Sequence, residues 1–429
     1  MSAQTPVSPT SSPASSAAPA RTRSALGKTF QALSTYNFRL FFIGQLISNT
    51  GNQLTNVALI LFVLKLGHSG LAVGALAACQ LGPLVALSAW AGAVADRSDK
   101  RRLLLVTQSL EMAQSSMLAV LAFLPHPSLP LLYALAMLGG VLLAFDNPLR
   151  RSLVPEMVSK EDLPNAVVLY STIVALSQVL GPALAGALIS SLGFGWCFAL
   201  DAVTYLAVIT CLIMMREPEL YRQPPRARTG REVREGLRYV ASVPRLWLSF
   251  AMFALIGVFS FNLKVALPLL VTGPLHGDEV AFTALYATLS AGAVVGTLVV
   301  AQRRLVELRH AVAAAIALGG AMLVLSCMPS VLLAVPAGFF VGAASIVYLT
   351  ASTTIAQVDT RRDMQGRVLA LQTVLIGATA LVGGPIVGQL ADLAGARAPI
   401  AIGGVVCLVA AGLGELGRRR FSQTGAPAT

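Results

Sequence analysis

Three ionisable side chains, Glu111, Asp201 and Lys264, stand inside long apolar runs. A charge held in hydrocarbon is costly, so each marks a place where a proton or a charged ligand is handled, or where a side chain escapes to the interface. Lys264 lies past the middle of its run. It counters an anionic substrate, pairs with an acid, or snorkels outward. Glu111 and Asp201 read as packing groups or proton-coupling groups, and Asp201 equally as an acceptor for neighbouring hydroxyls. Asp146 stands beside Arg150 and Arg151 and is expected to pair with a nearby arginine. A second polar feature is a ribbon of amides: Gln45, Asn49, Asn52 and Asn56 recur at helical spacing, with Ser48 and Gln53 beside them. Unsatisfied amides cannot face lipid, so this face meets protein or water. It either bonds to other helices or contacts a small-molecule substrate. Phe250, Phe253, Phe259, Phe261 and Tyr348 supply core packing or an aromatic surface.

Covalent chemistry has no constellation here. The five cysteines (Cys79, Cys197, Cys211, Cys327, Cys407) fall in apolar runs at irregular spacing, without metal-ligand spacing, and no disulfide is expected. No Walker-type glycine loop is present, so direct use of ATP is not expected. The reading is a non-enzyme with no cofactor and no metal.

The elements that must position these groups follow from composition. Of the 429 residues, 55% are hydrophobic and 12% charged, about half the charged share of a soluble domain. The apolar residues come in blocks of spanning length, which excludes a membrane β-barrel with its alternating short strands. The spacing predicts twelve transmembrane helices near 40–64, 71–95, 103–124, 129–147, 166–192, 194–215, 246–271, 281–301, 310–328, 330–352, 368–391 and 398–416. The fourth is expected to end at Asp146-Asn147-Pro148, leaving it without a charged residue in its interior. Net charge is +12, but the basic residues are scattered over short loops, which argues against nucleic acid as a partner. Only Lys65 and Arg397 fall in the loops of one side, so the other side, with both termini, is expected to be cytoplasmic.

Residues 1–38 are rich in Ser, Ala, Pro and Thr and are expected to be a disordered cytoplasmic tail. Six helices follow in 39–215, a basic linker in 216–245, six more in 246–417, and a short cytoplasmic tail in 418–429. In the linker, Val233, Leu237 and Val240 recur at helical spacing among Arg231, Arg234 and Arg238. This amphipathic helix is expected to lie on the inner leaflet, with membrane lipids as partners. The halves echo each other: a Gly-Pro pair follows an acidic-basic turn in both, at Gly181-Pro182 and Gly384-Pro385, with Gly186 and Gly388 a turn later. Two parallel six-helix halves suit a rocking transporter.

The segment Gly92-Ala-Val-Ala-Asp96-Arg97-Ser-Asp-Lys100-Arg101-Arg102 resembles the cytoplasmic signature of the major facilitator superfamily. Asp99 stands where the common pattern has Gly. With Asp146-Asn-Pro-Leu-Arg150-Arg151 and the Leu153-to-Leu163 stretch, this variation resembles the enterobactin-exporter-like branch, from about Tyr36 to the last helix. Gly181-Pro182-Ala-Leu-Ala-Gly186 is similar to the core of the family's antiporter motif, and Gly292-x-x-x-Gly296 is expected to pack against it. An arginine expected within the fourth helix of drug–proton antiporters is absent from the run as read. The resemblance implies the all-α major facilitator fold, two pseudo-symmetric six-helix bundles in a bacterial inner membrane. It implies a latch at Asp96 and Arg97, and a cavity lined by the first, fourth, seventh and tenth helices, which makes Lys264 the best cavity candidate. The expected activity is proton-coupled efflux of small amphiphilic compounds (multidrug or secondary-metabolite export) by a monomer through alternating access. Dedicated siderophore export, solute uptake and a non-transporting sensor are the alternatives.

Overall fold

The computed structural model describes residues 30–221, 232–301, 307–362 and 364–423, and these are helical almost throughout. The helices are α1 (Tyr36–Gly67), α2 (Gly70–Arg97), α3 (Lys100–Phe123), α4 (Leu129–Met157), α5 (Leu163–Leu192) and α6 (Phe194–Met214). A short α7 (Glu232–Ser242) precedes α8 (Pro244–Ser260), α9 (Leu263–Thr272), α10 (Glu279–Ala301), α11 (Leu308–Cys327), α12 (Val331–Val358), α13 (Gln365–Ala394) and α14 (Ala398–Gln423). Among the described residues, ten spans, with α8 and α9 forming one of them, have the length and apolar composition to cross a membrane. The two long helices that fall short are α1 and α3. They carry the amide ribbon and the Gln108–Glu111–Gln114 stripe, so polarity was placed where function was suspected.

Every major pairing among the first six helices recurs among the last six. Thus α1–α5, α1–α6, α2–α4, α3–α4 and α3–α6 are matched by α8–α13, α8–α14, α10–α12, α11–α12 and α11–α14. Across the halves, α2 packs on α13 and α5 on α10. The start of α1 and the end of α6 share one face: Asn37 donates to the Arg216 carbonyl at 3.0 Å and accepts the Arg216 N–H at 2.9 Å. We call this the terminal face.

Several expectations need correction. Residues 30–38 are ordered: a turn spans Gln31–Ser34, and the buried Ala32 donates its N–H to Asn165 Oδ1 at 3.0 Å. Residues 1–29 lie outside the described residues. The seventh segment is broken at Phe261–Asn262. The Asn262 side chain donates to the Gly257 and Val258 carbonyls and ends α8 by satisfying its last acceptors. The linker helix docks on protein, because Val240 is buried with Leu246, Phe250, Ala356 and Val368, and Arg367 pairs with Glu235 at 3.1 Å. Leu237 is exposed, and the Val233 side chain lies outside the described residues.

Candidate functional site

The largest correction concerns the fourth helix. It continues through Asp146-Asn147-Pro148 to Met157, with Pro148 in its interior and Ser152 Oγ donating to the Pro148 carbonyl at 2.8 Å. Membrane helices tolerate such a proline when side chains and neighbours satisfy the freed backbone groups. Arg150 is therefore inside the helix, one turn from Asp146 and only 4% exposed. Its guanidinium is ion-paired with Asp146, lies 3.7 Å from Glu111 Oε2, and donates to Gln45 Oε1 and, at 3.0 Å, to Asn49 Oδ1. Gln108, one turn before Glu111 on α3, donates to Glu111 Oε2 and Asp146 Oδ1, each at 2.8 Å. Two carboxylates, one guanidinium and three amides from α1, α3 and α4 thus form a single buried network. The sequence signal was available: Asp146 and Arg150 at i, i+4 spacing. The Asn-Pro pair disguised it as a helix end.

Asp201 on α6 is 1% exposed and accepts from Ser115 Oγ at 2.9 Å and Thr204 Oγ1 at 3.4 Å. Among the described residues no ion pair engages it, so it sits as a hydroxyl-bonded acceptor. A turn later, Tyr205 accepts from Asn52 Nδ2 at 3.3 Å. Asn56 donates to Asn52 at 3.0 Å and Gln80 of α2 to Asn56 at 3.4 Å. The ribbon is one hydrogen-bonded line from Arg150 and Gln45 at one end to Gln80 at the other, with a break between Asn49 and Asn52. Gln45 is buried, whereas Asn49, Asn52 and Asn56 are half-buried. Among the described residues, Gln45 Nε2 and Ser48 Oγ are buried without a protein partner.

Lys264 does not join this network. It is exposed in the first turn of α9. Phe253, Phe261 and Tyr348 of the second half form a ring cluster with centroids 5.6 to 6.4 Å apart; Phe253 and Tyr348 are buried and Phe261 half-buried.

At the signature loop, Gly92 is buried and Arg97 exposed; Asp96 lies in the last turn of α2, and its side chain is outside the described residues. Arg101 donates to the Leu212 and Ile213 carbonyls at 2.7 and 2.9 Å and pairs with Glu217, tying the start of α3 to the end of α6. A cation at those orphan carbonyls is favourable. Lys100 pairs with Glu156 at the end of α4. On α5, Pro182 is buried, Gly181 lies against Gln53 of α1, and a Cβ on Gly186 would collide with Thr283 of α10. The expected partnership of Gly292 and Gly296 with this motif is wrong. Both lie against α12, at Phe339 and Ala343, while Gly338 and Gly342 return the contact at Leu285 and Leu289. Thr283 meets α5 from an earlier stretch of α10, so one helix serves two partners.

The apolar side chains differ at the two faces. On the face opposite the termini, one cluster takes members from both halves, for example Leu59, Val73 and Phe198 together with Val271, Phe282 and Val387. Two smaller clusters, one within 32–215 and one within 240–368, share no member, while the large cluster continues through the second half to Ala311, Val312 and Ile355 at the terminal-side ends of α11 and α12.

A family model described as transmembrane secretion effector matches residues 27–423. The chain belongs to this family of major facilitator transporters. The secretion-effector assignment agrees with the enterobactin exporter EntS of Shigella boydii serotype 18, 27% identical over 402 residues, 90% of this chain and 94% of that one. The staphyloferrin A transporter of Staphylococcus aureus is 33% identical over 177 residues, 41% of this chain and 44% of that protein, less than half of either. Among solved structures, a bacterial homologue of the human lysosomal transporter Spinster, inward-facing and unoccupied, superposes with a TM-score of 0.68 at 16% identity, covering 90% of this chain and 97% of that one. A POT family transporter in complex with 5-aminolevulinic acid gives 0.71 at 11% identity, covering 91% and 96%. These likenesses establish the fold. The secretion-effector family member described here is a multi-pass membrane transporter, not an enzyme.

Proposed function

We propose that the protein exports a siderophore-class small molecule across a bacterial inner membrane by alternating access, driven by protons moving inward. The observation that carries this reading is the direct bond from Arg150 to Gln45 and Asn49. It links a buried ionisable cluster to the amide face suspected of contacting substrate. Two carboxylates against one guanidinium balance electrically when the cluster holds one proton, so loading and release of that proton change the charge beside the ribbon. Glu111, farther from the guanidinium than Asp146, is the group that exchanges it. The ribbon residues Gln45, Asn49, Asn52 and Asn56 contact substrate, while Asp201 holds α3 to α6. First-half residues that share a cluster with the second half, such as Leu59, Val73 and Phe198, lie toward the face opposite the termini, whereas Phe38, Leu104 and Leu212 near the terminal face cluster only within their own half. This suits a cavity open toward the termini, the cytoplasmic side for an exporter awaiting cargo. The enterobactin and staphyloferrin A relatives supply the substrate class.

A broader exporter of amphiphilic compounds is the second reading, favoured by the half-buried Phe261 against Phe253 and Tyr348. Inverted membrane vesicles with an imposed proton gradient test both. Uptake of a siderophore from a catecholate, hydroxamate and carboxylate panel, abolished by a protonophore and by Glu111→Gln, is the expected result. Uptake of dyes and drugs but no siderophore selects the second reading. Gradient-independent movement of every compound sinks proton coupling.

A further inference from the structure

The two helices that close the seam opposite the termini run antiparallel. Gly70 at the start of α2 lies on Gly388 near the end of α13, and a Cβ on Gly74 would stand 2.5 Å from the Gly384 carbonyl oxygen. Farther along, Gly377 meets Val85 through side-chain contact only, and Gly366 at the start of α13 faces open space. Among the glycines of the pair, close approach to the partner's backbone is found only at the Gly70 end.

At that end a side chain crosses between the halves. The Asp392 carboxylate accepts the Gly70 N–H at 2.6 Å on Oδ1 and the Leu71 N–H at 2.9 Å on Oδ2. First-turn amides have no partner within their own helix, and an anion there is favoured by the helix dipole. Ser69, the residue's own N-cap, takes the Ala72 N–H at 3.1 Å, so the first turn of α2 is capped jointly by its own half and by the other. At the terminal face the arrangement is complementary: α13 begins at Gln365 with Met364 as N-cap and no side-chain cap, while Asp96 stands in the last turn of α2. Each helix of the pair carries an aspartate in its last turn.

We propose that Asp392 is a latch for the face opposite the termini. It holds the two halves closed there by capping α2 from α13, and it releases Gly70 and Leu71 to water when that face opens. This rests on the alternating-access reading. It assigns a role to a residue 322 positions away in sequence from the amides it binds, and a latch at Asp96 does not imply it. A bond within one half would only stiffen a helix end. A bond between halves biases the equilibrium between the two openings.

Hydrogen–deuterium exchange of the full-length protein in lipid nanodiscs tests this without labels. In Asp392→Asn, peptides covering 66–78 and 388–398 are expected to exchange roughly three- to tenfold faster, as for loss of a charge-assisted pair of bonds. Peptides covering 92–104 and 359–370 are expected to slow, because the terminal face closes as the other opens. Asp392→Glu, which keeps the charge, should restore most of both changes. Faster exchange near Gly70 alone, with no slowing at the terminal face, reduces Asp392 to a local cap and overturns the proposal. So does an unchanged pattern in Asp392→Asn while a change of pH still shifts the wild type, and in that case alternating access itself survives. A reciprocal shift in a protein that moves no siderophore supports the latch and rejects the substrate assignment instead.

Discussion

The two halves of this transporter pair their helices alike but fill the matched interfaces with different chemistry. In the first half, the α3–α4 interface holds Gln108, Glu111, Asp146 and Arg150. In the second, the matched α11–α12 pair has no ion pair between its helices: α12 carries no charged residue, and α11 only Arg309 and His310 in its first turn. Backbone approach in both depends on small residues: Gly140 against Gln80 in α2–α4, and Gly292, Gly338 and Gly342 in α10–α12. The lesson is that the fold does not need the ions. An equivalent interface packs without them, so their retention in one half points to function rather than to stability.

The sharpest way to break the comparison is to remove the guanidinium. Arg150→Met leaves two buried carboxylates facing each other and is expected to destabilise the protein by about 3–5 kcal/mol, read as a drop in thermal unfolding temperature. The triple variant Glu111→Leu, Asp146→Leu, Arg150→Met makes the first half resemble the second. It should recover most of that stability while transporting nothing. A triple variant as unstable as the single one would show that the ions hold the fold.

Glycine contacts should matter equally in both halves. Gly342→Leu forces a side chain into the Leu289 carbonyl, and Gly140→Leu does the same at Gln80. Each is expected to cost about 1–3 kcal/mol and to lower the yield of folded protein. A harmless substitution in one half alone would end the claim of matched packing.

The amide ribbon gives a smaller and asymmetric effect. Asn52→Leu loses the bonds to Tyr205 and Asn56, at about 1 kcal/mol, and is expected to raise the substrate KM several-fold. Ser352→Ala, in α12 of the second half, should leave transport kinetics unchanged. Equal changes in both would remove the ribbon's claim to substrate contact.

The smallest effect is at the terminal face of the second half. Asp359, half-buried after α12, has its carboxyl pushed above the ordinary range by burial, partly offset by Arg245. For an acid raised in the folded state, the penalty is absent below the unfolded pKa. It grows as pH rises through the interval between the two values, and is constant above. Asp359→Asn is accordingly expected to stabilise by a few tenths of a kcal/mol at neutral pH, discounted for solvent screening, and to do nothing in acid. Equal unfolding temperatures for the variant and the wild type at pH 7 would contradict it.

Much of this protein was legible in one dimension. Apolar runs of spanning length admit only helices in lipid, so class, helix order and most boundaries followed from periodicity. The six-against-six division was marked by a basic linker and by Gly-Pro pairs that recur inside α5 and α13. The amide ribbon and Glu111 could be named because polar groups in apolar runs demand partners. Which partners they find was decided by tertiary packing. The helix α4 continued through Pro148, and this brought Arg150 between Glu111 and Asp146. Asn262 broke the seventh span because its side chain outcompeted the next turn for two carbonyls. Gly292 and Gly296 signalled close contact but not with whom, since a small residue specifies only that something approaches. The Asp392 bond to α2 lay beyond any local pattern, because cap and helix start are separated by most of the chain and meet only when the halves do.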